Sequence, residues 1–204
     1  MSKEIRAFNF EVRADQNEEH GHFLSGTPIV FNERTNLGWH DEIIEADALK
    51  DTDLRDVRFL INHNTDMIPL ARSRNNNENS TMQLSVNDNG MDIRVDLDTE
   101  NNVEAKALYS AVERGDISGM SFMFSVDKDA WEDLESEHPT RRIQSIGKVF
   151  EVSAVTFPAY EATSIVARGL SEALEGAKES LESAKAEAQA VERKKEIIKF
   201  LLED

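Results

Sequence analysis

Gly115-Asp116-Ile117-Ser118-Gly119-Met120-Ser121-Phe122-Met123-Phe124 is the stretch on which the reading of the chain turns, because the hydrophobic period changes there. Upstream, Val103, Ala107 and Ala111, with Leu108 and Val112 beside them, recur at helical spacing. Asp98 or Thr99 stands ready as the N-cap. Gly115 occupies the position just past the helix end, and Gly119 frees the backbone for a second sharp turn. From Ser121 onward the period is two: Phe122, Phe124 and Val126 share one face, and Ser121, Met123 and Ser125 share the other. A hydroxyl is therefore expected at a strand's first residue, beside a turn, with its anchor buried behind it. A serine nucleophile needs such a place, together with a base and an orienting group.

Short alternating runs flank this stretch. Ile5 to Arg13 predicts an N-terminal strand with Phe8 and Phe10 facing inward. Asp15 to Glu19 reads as a polar turn, His22 to Phe31 as a second strand broken near Pro28, and Asn32 to Gly38 as a loop. A short helix is expected over Ala46–Leu49. Val57 to Ile61 is a strand that places His63 on the face of Val57, Phe59 and Ile61. Arg72 to Ser80, with its run of Asn, is a surface loop. Asn87-Asp88-Asn89-Gly90 between Thr81–Val86 and Met91–Leu97 signals a hairpin. A strand over Ser121–Trp131 leads to an acidic loop. A long strand from Arg141 to Phe157 follows, kinked at Gly147 and stopped by Pro158. Many strands with two or three helices predict an α+β fold, a mostly antiparallel β-barrel flanked by helices. From Leu170 the residues Leu174, Ala177, Leu181, Ala184, Ala188, Val191, Lys195, Ile198 and Leu202 step four-three without a break. The chain thus divides into residues 1–168 and a helical tail, residues 169–204. The tail either seeks a partner or docks on its own domain.

The 204 residues include 40 acidic against 23 basic ones, for a formal charge of -17. That balance argues against nucleic acid and favours basic partners. No cysteine is present, so disulfide and thiol chemistry are excluded. The opening Met-Ser-Lys-Glu-Ile-Arg lacks a secretory apolar core, and no apolar run reaches membrane-spanning length. No phosphate-binding glycine loop or zinc-protease helix motif occurs. His20 and His22 share a strand face that His40 could join, but without a third ligand at telling spacing no metal or other cofactor is expected.

Three side chains carry the chemistry. Ser121 is the nucleophile candidate, with Ser118 and Ser125 as rivals. His63 is the base candidate, because it alone of the five histidines ends an apolar strand. Glu151 interrupts the apolar run Val149–Val155, where a carboxylate needs a partner. His63 is one candidate for that partner and Arg141 or Arg142 across a turn the other. Asp66 and His138 compete with Glu151 as the orienting group.

Asn62-His63, Gly119-Met120-Ser121-Phe122 and Glu151-Val152-Ser153 leading to Pro158-Ala159-Tyr160, in this order, resemble the tailed-phage prohead maturation proteases. The Phe-rich N-terminal strand and Trp131 after the serine belong to the same likeness, which runs from about Ile5 to about Arg168. Those enzymes are serine peptidases similar in fold and active site to herpesvirus assemblin. The resemblance implies a serine endopeptidase working in the host cytoplasm inside an assembling procapsid. Such an enzyme cuts scaffold segments or the N-terminal segment of the major capsid protein, and also itself. It also implies an arginine region after the serine strand that could serve the oxyanion, a place held by Arg141 and Arg142; as a second reading these two balance the acidic run Glu132–Glu137. A non-catalytic assembly or scaffolding protein with an acidic helical tail is the alternative.

Overall fold

The computed structural model describes residues 3–8, 12–17, 21–156 and 167–202, arranged as eleven strands and two helices. In the larger sheet, β1 (Glu4–Phe8), β10 (Gly119–Glu132), β11 (Thr140–Val155), β5 (Asp41–Ile44) and β4 (Thr35–Asn36) lie in that order. β6 (Asp56–Ile61) also pairs with β11 and carries β7 (Ala71–Arg74). The smaller sheet runs β2 (Arg13–Asn17), β3 (Gly21–Val30), β9 (Gly90–Asp96), β8 (Met82–Asn87). The α+β class holds, but among the described residues neither sheet closes into a barrel.

β11 is the shared element. Its 16 residues pair antiparallel with β10 along one edge. The other edge takes β5 at Thr140–Ile143 and β6 at Glu151–Ala154, both parallel. The alternation of the two long strands explains their burial: Met120, Phe122 and Phe124 from β10 and Val152 and Ala154 from β11 are fully buried. They join Leu24, Ile29, Phe59 and Met91 in one core cluster from both sheets. Each such large side chain contributes about 1.5–3 kcal/mol. Helix α1 (Val103–Glu113) adds Ala105, Leu108 and Val112. Its exposed Val103 shows that the buried stripe lies one step round from the expected one.

Other expectations shift in instructive ways. The N-cap is Asn102, whose Oδ1 accepts from the backbone N–H of Glu104 and Ala105, not Asp98 or Thr99. Gly115, at φ 78, ends the helix as expected, whereas Gly119 already lies inside β10 and makes no turn. Asp15 to Asn17 belong to β2, an exposed polar strand held by pairing with β3. Ala46–Leu49 is a turn after β5 rather than a helix, and Arg72–Arg74 pair with β6. The hairpin forms, with Asn87 opposite Gly90. Gly90 is demanded by crowding, since a Cβ there would sit 1.9 Å from the Ile29 carbonyl oxygen. Pro28 falls where the β3–β9 register shifts, between Gly26 and Ile29. The kink foreseen at Gly147 is a bulge region, with shifts between Met123 and Asp129 on β10. Phe10, Phe157 to Tyr160 and His20 lie outside the described residues.

The inward face of β1 carries Glu4 and Arg6, buried in a closed ionic cluster. The Arg6 guanidinium donates to both Glu42 oxygens and, at 2.6 Å, to Glu4. Arg141 reaches Glu4 at 2.7 and 3.0 Å, Glu42 at 3.2 Å and Asp129 at 2.6 Å. Burial alone would raise the Glu42 carboxyl, but the Arg6 charge and hydrogen bonds hold it well below the carboxylate range. Burial likewise pushes the neighbouring His40 imidazole below its ordinary value, although Glu42 pulls the other way. Helix α2 (Ala167–Leu202) joins this cluster: Trp131 Nε1 donates to Ser180 Oγ at 3.0 Å, and Ser180 donates to Asp129 at 2.8 Å. Ala177 and Leu181 of α2 are buried. From Ala186 to Lys199 every side chain is exposed, Val191 and Ile198 included. Among the seam side chains that the structure describes, Ala177 and Leu181 are docked on the domain, and Ala188, Val191, Lys195 and Ile198 are open to solvent.

Gly90→Ala should destabilise the fold by about 2 kcal/mol or more, measured by urea unfolding. Glu42 has a depressed folded pKa, so its stabilisation is complete above the unfolded carboxyl value of about 4.3 and is lost as pH falls through the lower folded value. Glu42→Gln should cost about 3–5 kcal/mol at pH 7 and flatten the acid limb of the stability curve from pH 5 downward. An unchanged acid limb would assign acid unfolding to other carboxylates.

Candidate active site

The histidine is placed by backbone geometry unusual for its residue type. β6 ends at Ile61, and Asn62 and His63 follow in the left-handed region, at φ 52 and 57. Such conformations cost non-glycine residues about 1 kcal/mol or more each. Local hydrogen bonds offset that cost. The Asn62 N–H donates to the Ala154 carbonyl at 3.0 Å, prolonging the β6–β11 ladder. Asn62 Oδ1 accepts from the Thr156 N–H at 2.9 Å, and Asn62 Nδ2 donates to Thr156 Oγ1 at 3.1 Å. The His63 N–H donates to Ser153 Oγ at 3.1 Å. Two left-handed residues thus carry His63 off the Val57–Ile61 face expected for it and onto the face of Leu60, Ser153 and Glu151.

There the imidazole Nδ1 lies 2.6 Å from Glu151 Oε1. The other carboxylate oxygen, Oε2, accepts from Ser153 Oγ at 2.5 Å. Glu151 is 3% exposed and His63 18%, so the pair sits at the edge of the protein with its acid inside. An ionised carboxylate can only accept, which puts the proton on Nδ1 and leaves the Nε2 lone pair free.

Ser121 stands across the ladder. It is directly opposite Ser153 on β10–β11, and Met123 is opposite Glu151. Opposed residues of an antiparallel pair share a face, with Cβ atoms about 4.5–5.5 Å apart. Ser121, Ser153 and Glu151 therefore project from one side of the sheet. Ser121 is the third residue of β10, not the first, and is fully buried. Its hydroxyl donates to the Arg6 carbonyl of β1 at 2.8 Å rather than to His63.

The rival residues lie elsewhere or lack partners of the right kind. Ser118 is exposed before β10, and Ser125 is buried farther along it. Asp66 is exposed in the turn after His63. His138 Nε2 is 2.8 Å from Asp41 at the far end of the sheet. Arg141 is spent on the ionic cluster, and Arg142 pairs with Glu132 at 2.6 Å, so neither guanidinium is turned toward His63. His22 Nδ1 meets the Thr99 hydroxyl at 2.7 Å and His40 is buried against Trp39 and Trp131. Among the described residues no group of three or more His, Asp or Glu could hold a metal, and no helix is long and apolar enough to cross a membrane. Ser153, quoted above only as part of the stretch Glu151-Val152-Ser153, has no role of its own on sequence grounds; its signal is the spacing Glu151-x-Ser153, which puts both on one strand face.

Two hollows lie near this part of the fold; Glu151 lines the first, and neither Glu151 nor His63 lines the second. One of about 290 Å³ is lined by Leu60, Met67, Met123 and Glu151, with Lys3 and Arg58 at its walls. The other, of about 470 Å³, lies between the Ile61–Asn64 turn and Ala107, Leu108 and Ala111 of α1.

The family model described as caudovirus prohead serine protease matches residues 8–176. The prohead protease of Enterobacteria phage HK97 is 29% identical over 182 residues, covering 86% of this chain and 73% of that protein. A solved structure of the bacteriophage T4 capsid assembly protease aligns with a TM-score of 0.36 at 11% identity, over 74% of this chain and 98% of that one.

Glu151→Ala would leave the Ser153 hydroxyl and the His63 Nδ1–H without acceptors in a nearly dry site. The unfolding free energy should fall by about 2–3 kcal/mol. Glu132→Ala, at the rim against Arg142, should cost less than about 1 kcal/mol. Equal losses in urea would mean that Glu151 is held no more tightly than a surface acid.

Proposed function

This chain belongs to the caudovirus prohead serine protease family, a family of procapsid maturation peptidases, and from that premise we propose that Ser121, His63 and Glu151 are its nucleophile, base and orienting acid. The observation that carries the proposal is the 2.6 Å contact of Glu151 with His63 on the sheet face that also bears Ser121. With Nδ1–H bound to the carboxylate, Nε2 accepts the Ser121 proton as Oγ attacks the scissile carbonyl carbon. Glu151 then stabilises the imidazolium, which returns the proton to the leaving amine. Water enters and gives its proton to Nε2 as its oxygen attacks the acyl-serine ester, and the imidazolium then returns that proton to Ser121 Oγ as the acid leaves. Ser121 Oγ begins this cycle by giving up the Arg6 carbonyl and turning its hydroxyl toward the side of the sheet that carries the imidazole.

The substrates are scaffold segments, the N-terminal segment of the major capsid protein, and the chain itself, met inside the procapsid in the host cytoplasm. The hollow lined by Glu151 suits a side chain of an extended peptide. Residues 1–168 act as the catalytic unit. The tail, residues 169–204, supplies contact through the open half of its seam, with a second copy or a helical scaffold, and Val191 and Ile198 support that role.

Ser121→Ala should lower cleavage by on the order of 10^5-fold or more, and a fluorophosphonate should label Ser121 in the wild-type chain alone. Normal processing of capsid protein by the Ala variant would reject the assignment.

A further inference from the structure

We propose that Ser153 is a positioning residue that holds the base and its acid in register, an inference that rests on the roles given above to His63 and Glu151. One hydroxyl touches both partners. Its proton goes to Glu151 Oε2 at 2.5 Å, and its lone pair takes the His63 backbone N–H at 3.1 Å. A carboxylate can present either oxygen by rotating its last torsion. Ser153 occupies Oε2 and leaves Oε1 facing Nδ1. The same contact restrains a turn of two left-handed residues that the Asn62–Thr156 clasp and the Asn62 N–H bond to Ala154 hold only at Asn62. Commitment of both ends of the hydroxyl, the donor to Glu151 and the acceptor to the His63 N–H, keeps Ser153 inside the pair. It also keeps the residue off the substrate, so its loss should reach the rate and spare binding.

The test measures kcat and KM on a capsid-protein substrate, the rate and site of fluorophosphonate labelling by mass spectrometry, and the downfield His63 Nδ1 proton resonance. Ser153→Ala should lower kcat and labelling at Ser121 by about 10- to 100-fold, leave KM within about twofold, and broaden or abolish the resonance. Ser153→Thr, which keeps the hydroxyl, should recover most of both rates. Should the Ala variant not fold, Ser153→Cys carries the same comparison, with a weak donor of similar size. A folded Ala or Cys variant with wild-type kcat, labelling and resonance overturns the positioning role. Wild-type labelling on Ser153 overturns it too, together with the choice of Ser121. Wild-type labelling on neither serine rejects the nucleophile alone, and the resonance still reads the positioning role.

Discussion

The ladder between β10 and β11 is the constraint on which the site depends. Its register sets Ser121 against Ser153 and Met123 against Glu151. A slip of one residue would send the serine and the acid into the Phe122–Phe124 core and bring phenylalanine to the surface. That core is what prevents the slip, since Met120, Phe122, Val152 and Ala154 are buried on the other side of the same strands. The apolar face fixes the phase of the polar face. β6 then lies parallel on the free edge of β11 and ends where its next residues can reach Glu151 and Ser153.

Several of these features were legible in the residues themselves. Phe122 and Phe124 announce a buried face through simple alternation, and Gly115 marks the end of a helix. A carboxylate in the run Val149–Val155 advertises a need for a partner, and the structure pairs it with His63 rather than with Arg141 or Arg142. What resisted reading is non-local or conformational. Nothing in Asn62-His63 says that both adopt positive φ, yet that pair decides which face the imidazole serves. β2 offers only Ala14 to the core and exists because β3 gives it an edge. β5 is too short to show a period, and its Glu42 is buried because arginines from distant segments meet it. Among the described residues the expected barrel does not close, for a related reason: strand content can be counted from sequence, but sheet closure depends on pairings between distant edges.

The ionic cluster brings two guanidiniums and three carboxylates into a space with almost no water. Charges so placed are tolerated because Arg6, Arg141, Glu4 and Glu42 each meet two or more opposite charges, while the more exposed Asp129 meets Arg141 and the Ser180 hydroxyl. Their value is geometric: the cluster ties β1 to β5, β10 and β11, and the Arg6 carbonyl in β1 is where the Ser121 hydroxyl rests. The conformation of the nucleophile candidate therefore answers to the seating of an N-terminal strand.

The undocked portion of α2 has a length that matters. At about 1.5 Å per residue, the helix past Ala186 extends about 25 Å from the body. Its root is pinned by Ala177, Leu181 and Ser180, so it behaves as a stiff outrigger and not as a string. Whatever grips its tip is held at a set stand-off from the sheet. A partner seated on Val191 and Ile198 would meet the domain at that reach and no nearer.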